Sequence, residues 1–314
     1  MGKSKPPSPV SGVYAALVTP RQPNSVEADC GALFDYQDAV ARAGVDGVVL
    51  FGSTGEFVHF DLAERKRVLT LATRRSRAPV LVNVSHSTLA GAVDLAENAI
   101  AGGAAGLLLM PPYFYRYTDD QVFAFYEQFV KLLTGRSAAV YLYNLPFFTH
   151  PVSASLAERL LGSGVFAGIK DSSGEWGMFE ALRRIRDAVP FKLLIGHESI
   201  YLRGRLAGAD GIISGVAAAI PELLVAIDRA IRASDLARGE QLNTRLREFV
   251  KRIEGFPATV GIKQAAGARG WKVNHFALPF DRDTATELSV FQEWFRGWFP
   301  AVLSECRDSV TLKA

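Results

Sequence analysis

The 314-residue chain predicts an α/β fold, a (β/α)₈ TIM barrel with a helical C-terminal extension. Three observations predict it. Eight short apolar runs alternate with helical periodicity between Val13 and about Ser234. The runs are nearly continuous in apolar residues, as expected of parallel strands covered by helices. After Ser234 the strand signal stops, while helical periodicity goes on. Right-handed crossovers favour a closed barrel over the runner-up, a doubly wound open sheet. No GxGxxG lies between the first strand and the first helix, which counts against a dinucleotide-binding version. The expected organisation is a flexible arm over 1–10, a barrel with the active site over 11–234, and the extension over 235–314.

The elements follow in order. Val13 to Val18 reads as a strand closing at Thr19-Pro20, and Ala28 to Ala43 as an amphipathic helix stopped by Gly44. Asp46 to Phe51 is a strand that runs into Gly52, Ser53, Thr54, Gly55 and Glu56. Asp61 and Glu64 form a capping box for a helix to about Ser76. Val80 to Val84 is a strand, and a helix from about Thr88 to Ala101 follows. Leu107 to Met110 is a strand broken by Pro111-Pro112, and Thr118 with Gln121 caps a helix through Leu133. Val140 to Tyr143 is a strand, followed by a helix within 155–161. Val165 to Asp171 is an apolar strand that delivers Lys170 at its tip, before a helix from Trp176 to Val189. Lys192 to Ile195 and Gly211 to Ser214 are the last strands, with a helix from Ile200 to Ala207 between them. Pro221 suits the first turn of the next helix. In the extension, Leu236 to Ile253, Ala258 to Ala268 and Thr284 to Trp298 read as helices. Trp294, Phe295, Trp298 and Phe299 are expected to pack on the barrel or on another subunit.

Composition narrows the function. The 49% hydrophobic content suffices for one large core, and a net charge of +3 gives no case for nucleic acid or a membrane surface. Two cysteines, Cys30 and Cys306, with no CxxC, fit a reducing cytoplasm. MGKSKPPSPV has no apolar core of a secretory signal, and no run is long enough to span a bilayer. The five histidines, His59, His86, His150, His197 and His275, are scattered without HxH or HExxH, so no metal is expected. The basic stretches Arg65, Lys66, Arg67 and Arg74, Arg75, Arg77 read as solvated helix faces.

Three strand ends then carry an amine, a phenol and a hydroxyl-bearing glycine turn: Lys170, Tyr143, and Gly52 with Ser53 and Thr54. Singly, each has a plainer reading. Lys170 could be a solvated cation paired with Asp171, Tyr143 a half-buried strand aromatic, and the turn a simple βα loop. Parallel strands would bring all three to one mouth, where barrel chemistry sits. An amine there can attack the ketone of a 2-oxo acid to give an iminium, an electron sink beside which a C–C bond breaks or a proton leaves. The phenol can shuttle protons, and Ser53 and Thr54 can hold the carboxylate.

GSTGE at 52–56, YNLP at 143–146 and GIKDSSG at 168–174 resemble the signatures of the dihydrodipicolinate synthase and N-acetylneuraminate lyase family. LAGADGIISG at 206–215, Pro257 and Lys263 match it too, so the resemblance spans nearly the whole chain. It implies a (β/α)₈ barrel, usually a homotetramer, that works without metal or other cofactor on pyruvate or another 2-oxo acid and an aldehyde. Lys170 matches the Schiff-base lysine, Tyr143 the catalytic tyrosine, and Ser53 and Thr54 the paired hydroxyl residues. Ile213 falls where the family places a backbone carbonyl near the site. Two positions depart from the synthases. Phe148, preceded by Phe147, stands where they carry a carboxylate-binding arginine, and Tyr113 is followed by Phe114 where they pair two tyrosines. Tyr115 is a candidate for the second hydroxyl. Glu198 and Ser199 match positions where the lyase branch holds sugar hydroxyls with acidic residues. Alternatively, Glu198 simply starts a helix, where an acid suits the helix dipole.

The leading expectation is a lyase or aldolase acting on a C–C bond next to pyruvate or a related 2-oxo acid. The alternatives are a 2-keto-3-deoxy sugar acid dehydratase using the same lysine, a dihydrodipicolinate synthase, and a non-catalytic barrel that binds a 2-oxo acid. An intact lysine and tyrosine argue against the last.

Overall fold

The computed structural model describes residues 10–23, 25–133, 138–257, 259–273 and 275–307. The expected arm lies outside them apart from Val10. Eight parallel strands close a barrel in chain order: β1 Gly12–Ala16, β2 Gly47–Leu50, β3 Val80–Asn83, β4 Gly106–Leu109, β5 Val140–Asn144, β6 Gly168–Asp171, β7 Lys192–Ile195 and β8 Gly211–Ser214. β8 pairs with β1, Tyr14 opposite Ile213, so there is no open edge. All strand residues are buried except Lys192, which explains their continuous apolar spelling.

The covering helices are α1 Cys30–Arg42, α2 Leu62–Arg75, α3 Leu89–Gly102, α4 Asp119–Leu132, α5 Ala154–Gly162, α6 Trp176–Ala188, α7 Tyr201–Leu206 and α8 Pro221–Arg232. Ser, Thr or Asp side chains cap α1 to α5. Thr118 and Gln121 form the full reciprocal box. The Asp61 box is only half made. Asp61 accepts from the Glu64 amide, but the Glu64 carboxylate turns to the Ala28 amide and to Arg67. A charged partner and a free amide outside the helix draw it away from the cap.

Two other expectations are corrected. The lysine strand begins at Gly168, not Val165. Val165 is 50% exposed, and ladder pairing with β5 starts with Tyr141 opposite Gly168. Its first residues form the approach loop. Arg65 is not on a solvated face: it is 2% exposed. It shares the inward stripe of Val68, Leu69 and Ala72 at helical spacing. Its guanidinium donates to the carbonyls of Asn83 (2.8 Å) and Ser85 (2.9 Å) at the end of β3. Lys66 and Arg67 do lie outward, paired with Asp94 and Glu64.

The extension adds α9 Leu236–Ile253, α10 Val260–Ala268 and α11 Arg282–Arg307. α11 runs past Trp298 and through Pro300. Its buried face continues from Phe291 and Phe295 to Val302 and Cys306, and that burial outweighs the amide Pro300 lacks. Phe295 packs against Phe249 of α9, and the Trp298 indole donates to Glu248 at 2.8 Å. Among the described residues, no helix is long and apolar enough to cross a membrane.

Candidate active site

β5 and β6 are in register, with Tyr143 opposite Lys170, so both side chains leave the same face near the C-terminal mouth. Lys170 Nζ lies 4.0 Å from the centroid of the Tyr143 ring. Both residues are buried, at 4% and 1% exposure, so Lys170 is not a solvated cation. The Asp171 carboxylate does not hold it either. It accepts from Asn144 Nδ2 (2.7 Å), Ser173 Oγ (2.7 Å) and the Ser173 amide (3.2 Å). Burial raises the Asp171 pKa above the ordinary carboxylate value, and those hydrogen bonds oppose the rise. Asn144 Oδ1 takes the Val152 amide at 3.0 Å, which ties the ends of β5 and β6 to the following loop.

The turn after β2 supplies the third group. The Gly55 amide bonds Gly52 O and the Glu56 amide bonds Ser53 O, each at 3.0 Å. Phe51 and Glu56, at either end, sit in the left-handed region with φ of 54°. Glu56 is held there by an ion pair with the buried Lys263 of α10, which also donates to His275 O at 2.9 Å. Burial lowers the Lys263 pKa and Glu56 opposes that shift. The turn thereby presents Ser53 Oγ at 3.2 Å from the Tyr143 hydroxyl. Lys170, Tyr143 and Ser53 form one contiguous set.

The other candidates are placed around this set. Thr54 faces β8: a Cβ on Gly215 would lie 3.0 Å from its hydroxyl. Gly52 faces open space, and Ile213 is buried in β8. Glu198 Oε1 accepts from Ser214 Oγ (2.6 Å) and from the Val216 amide (3.2 Å), so it braces the loop after β8. Tyr115 is exposed and packs edge-on against Phe114. Phe148 lines a cavity of about 340 Å³ with Ser53, Phe57, Val58, Met110, Tyr113, Phe114, Leu145 and Thr149. Tyr113, rather than Tyr115, is in that wall. Burial raises the Tyr113 phenol above its ordinary pKa, with Arg65 opposing.

Two features escape a reading by strand ends alone. One is a buried polar frame at the strand ends. Asn83 Nδ2 donates to Phe51 O (2.7 Å), Asn83 Oδ1 receives Ser85 Oγ (2.7 Å), and Ser85 Oγ receives the Met110 amide (2.8 Å). It joins the ends of β2, β3 and β4, and Arg65 donates to the carbonyls of both Asn83 and Ser85. The signal is the pair of polar residues in the apolar run 80–85. The other is Gly196, just past β7. A Cβ there would overlap Ser172 Oγ and lie 2.8 Å from Lys170 Cε. Gly196→Ala is therefore expected to fold yet displace the Lys170 amine, slowing any reaction of that amine with a carbonyl compound by roughly 100-fold, the scale of a 1 Å misplacement. Borohydride trapping rates on the two proteins check this. Among the described residues, no three His, Cys, Asp or Glu side chains converge as a metal site would need.

A sequence profile of the dihydrodipicolinate synthetase family matches residues 9–292. A 4-hydroxy-tetrahydrodipicolinate synthase of Sorangium cellulosum is 30% identical over 267 residues, covering 83% of this chain and 87% of the relative. A probable 2-dehydro-3-deoxy-D-pentonate aldolase of Escherichia coli K12 is 31% identical over 261 residues, covering 80% and 85%. A crystal structure of a prophage protein of the dihydrodipicolinic acid synthase family from E. coli K12, in complex with pyruvate, superposes with a TM-score of 0.85. At 24% identity, covering 92% of this chain and 98% of that one, it shows a shared fold.

Proposed function

The chain belongs to the dihydrodipicolinate synthetase family, a family of lyases and aldolases, and from that premise we propose a Schiff-base lyase acting through Lys170 on pyruvate or a related 2-oxo acid. The observation that carries the reading is the amine 4.0 Å above the Tyr143 ring, with Ser53 on the phenol. The Lys170 amine attacks the 2-oxo carbon, water leaves, and an iminium forms. In the cleavage direction Tyr143, having given its own proton to the departing water, takes the 4-hydroxyl proton as the C3–C4 bond breaks. An aldehyde departs and an enamine remains. The enamine takes a proton on carbon, and water releases the 2-oxo acid and the free amine. Ser53 relays protons between the phenol and the mouth, and Ser53 and Thr54 hold the carboxylate. A homotetramer, as the resemblance implies, and a cytoplasmic location, as two cysteines without a CxxC suggest, complete this reading.

A panel of 4-hydroxy-2-oxo acids, followed by mass and by pyruvate release, tests the reaction class. The proposal expects pyruvate and an aldehyde in equal amounts. Loss of water with the carbon chain intact would make the protein a dehydratase.

A further inference from the structure

The cavity beside Ser53 is built mostly from apolar side chains carried by three loops: Phe57 and Val58 after β2, Met110, Tyr113 and Phe114 after β4, and Leu145 and Phe148 after β5. No charged side chain is among its lining residues. Its two aliphatic hydroxyls are already engaged. Thr149 donates to backbone oxygen of Leu145 at 3.1 Å, and Ser53 is on Tyr143. Phe57 and Tyr113 meet edge to face, 5.9 Å between centroids at 84°. The rim is apolar yet open to solvent: Val58 is 64%, Phe114 87% and Phe148 68% exposed. These three side chains carry the apolar lining of the cavity outward to its mouth. Meanwhile Glu198, the carboxylate expected to hold sugar hydroxyls, has Oε1 bound to Ser214 and Val216.

We propose that the aldehyde formed or consumed here carries an uncharged aromatic group, seated in this cavity. The inference rests on the Schiff-base reading and adds the substrate class. An apolar cavity of about 150 Å³ already holds benzene, so this larger one accommodates a substituted ring. Aromatic walls take such a ring edge-on or offset. A polyhydroxylated or carboxylate-bearing group would lose its water there and meet no charged partner, with the Tyr113 phenol as the added polar contact. The reaction balances without any further reagent. The enamine carbon of pyruvate bonds to the aldehyde carbon, and the aldehyde oxygen takes the proton from Tyr143. Water then cleaves the iminium to give a 4-aryl-4-hydroxy-2-oxobutanoate.

The test begins by trapping pyruvate on the protein with borohydride. Then kcat/KM is compared for condensation of pyruvate with benzaldehyde, glyceraldehyde and aspartate semialdehyde. Benzaldehyde is expected to lead both others by roughly tenfold or more. Val58→Asn and Phe148→Ser should each narrow that lead. No trapping removes the Schiff-base reading and this inference with it. Trapping together with a preference for glyceraldehyde or the semialdehyde overturns this inference alone, and leaves the apolar rim to be covered by a second copy. A lead unchanged in both variants also overturns it, because the ring then sits elsewhere.

Discussion

Lys170→Met is expected to lower turnover by roughly four orders of magnitude or more, to the level left by binding alone. The substitution keeps a flexible chain of similar length in the buried space beside the Tyr143 ring. Packing is therefore conserved and the amine alone is lost. Asp171, Asn144 and Ser173 keep their own hydrogen bonds, since none of them is made to Lys170. The variant should unfold within a few degrees of the parent, and borohydride with pyruvate should label nothing. Folded protein with substantial turnover would show that the electron sink is not an iminium on this lysine.

Tyr143→Phe carries the second largest effect. The ring remains, so the contact with Lys170 remains, and the amine should still be trapped by pyruvate and borohydride. The hydroxyl 3.2 Å from Ser53 Oγ is what disappears. Loss of a positioned acid–base group lowers turnover by roughly 100-fold to 10,000-fold. Single-turnover measurements should place the loss in the bond-making or bond-breaking step, after iminium formation. Turnover close to that of the parent would assign the proton to another group, with Ser53 the nearest hydroxyl. Ser53→Ala should be milder, since it removes the partner of the phenol and leaves the phenol itself.

The parts of this site that could be read from sequence are those where one short run carries the information. An apolar strand ending in lysine, a strand ending in Tyr143-Asn144, and a glycine turn each announce themselves within a few residues. A parallel barrel then forces their tips to one end, so position followed from fold. Elements were legible for the same reason: caps such as Thr118 with Gln121 are local. What stayed hidden is made across distance. Glu198 is tied to Ser214 and Val216 by hydrogen bonds that no local pattern announces. Arg65 lies next to Lys66 and Arg67 in sequence, and only the stripe it shares with Val68, Leu69 and Ala72 separates it from them. The cavity is made by loops after β2, β4 and β5, and an apolar loop residue looks the same in sequence whether it lines a site or covers a core. Gly196 is informative only because Lys170 Cε passes beside it.

The proposed chemistry turns on one covalent bond, between Lys170 Nζ and the 2-oxo carbon. Incubating the intact protein with pyruvate, reducing with borohydride and mapping the peptides measures that bond directly. A single adduct, of one reduced pyruvyl group, is expected on Lys170 in the peptide that spans β6. An adduct on another lysine, on Lys263 or Lys192 for instance, or no adduct with any 2-oxo acid, would contradict it.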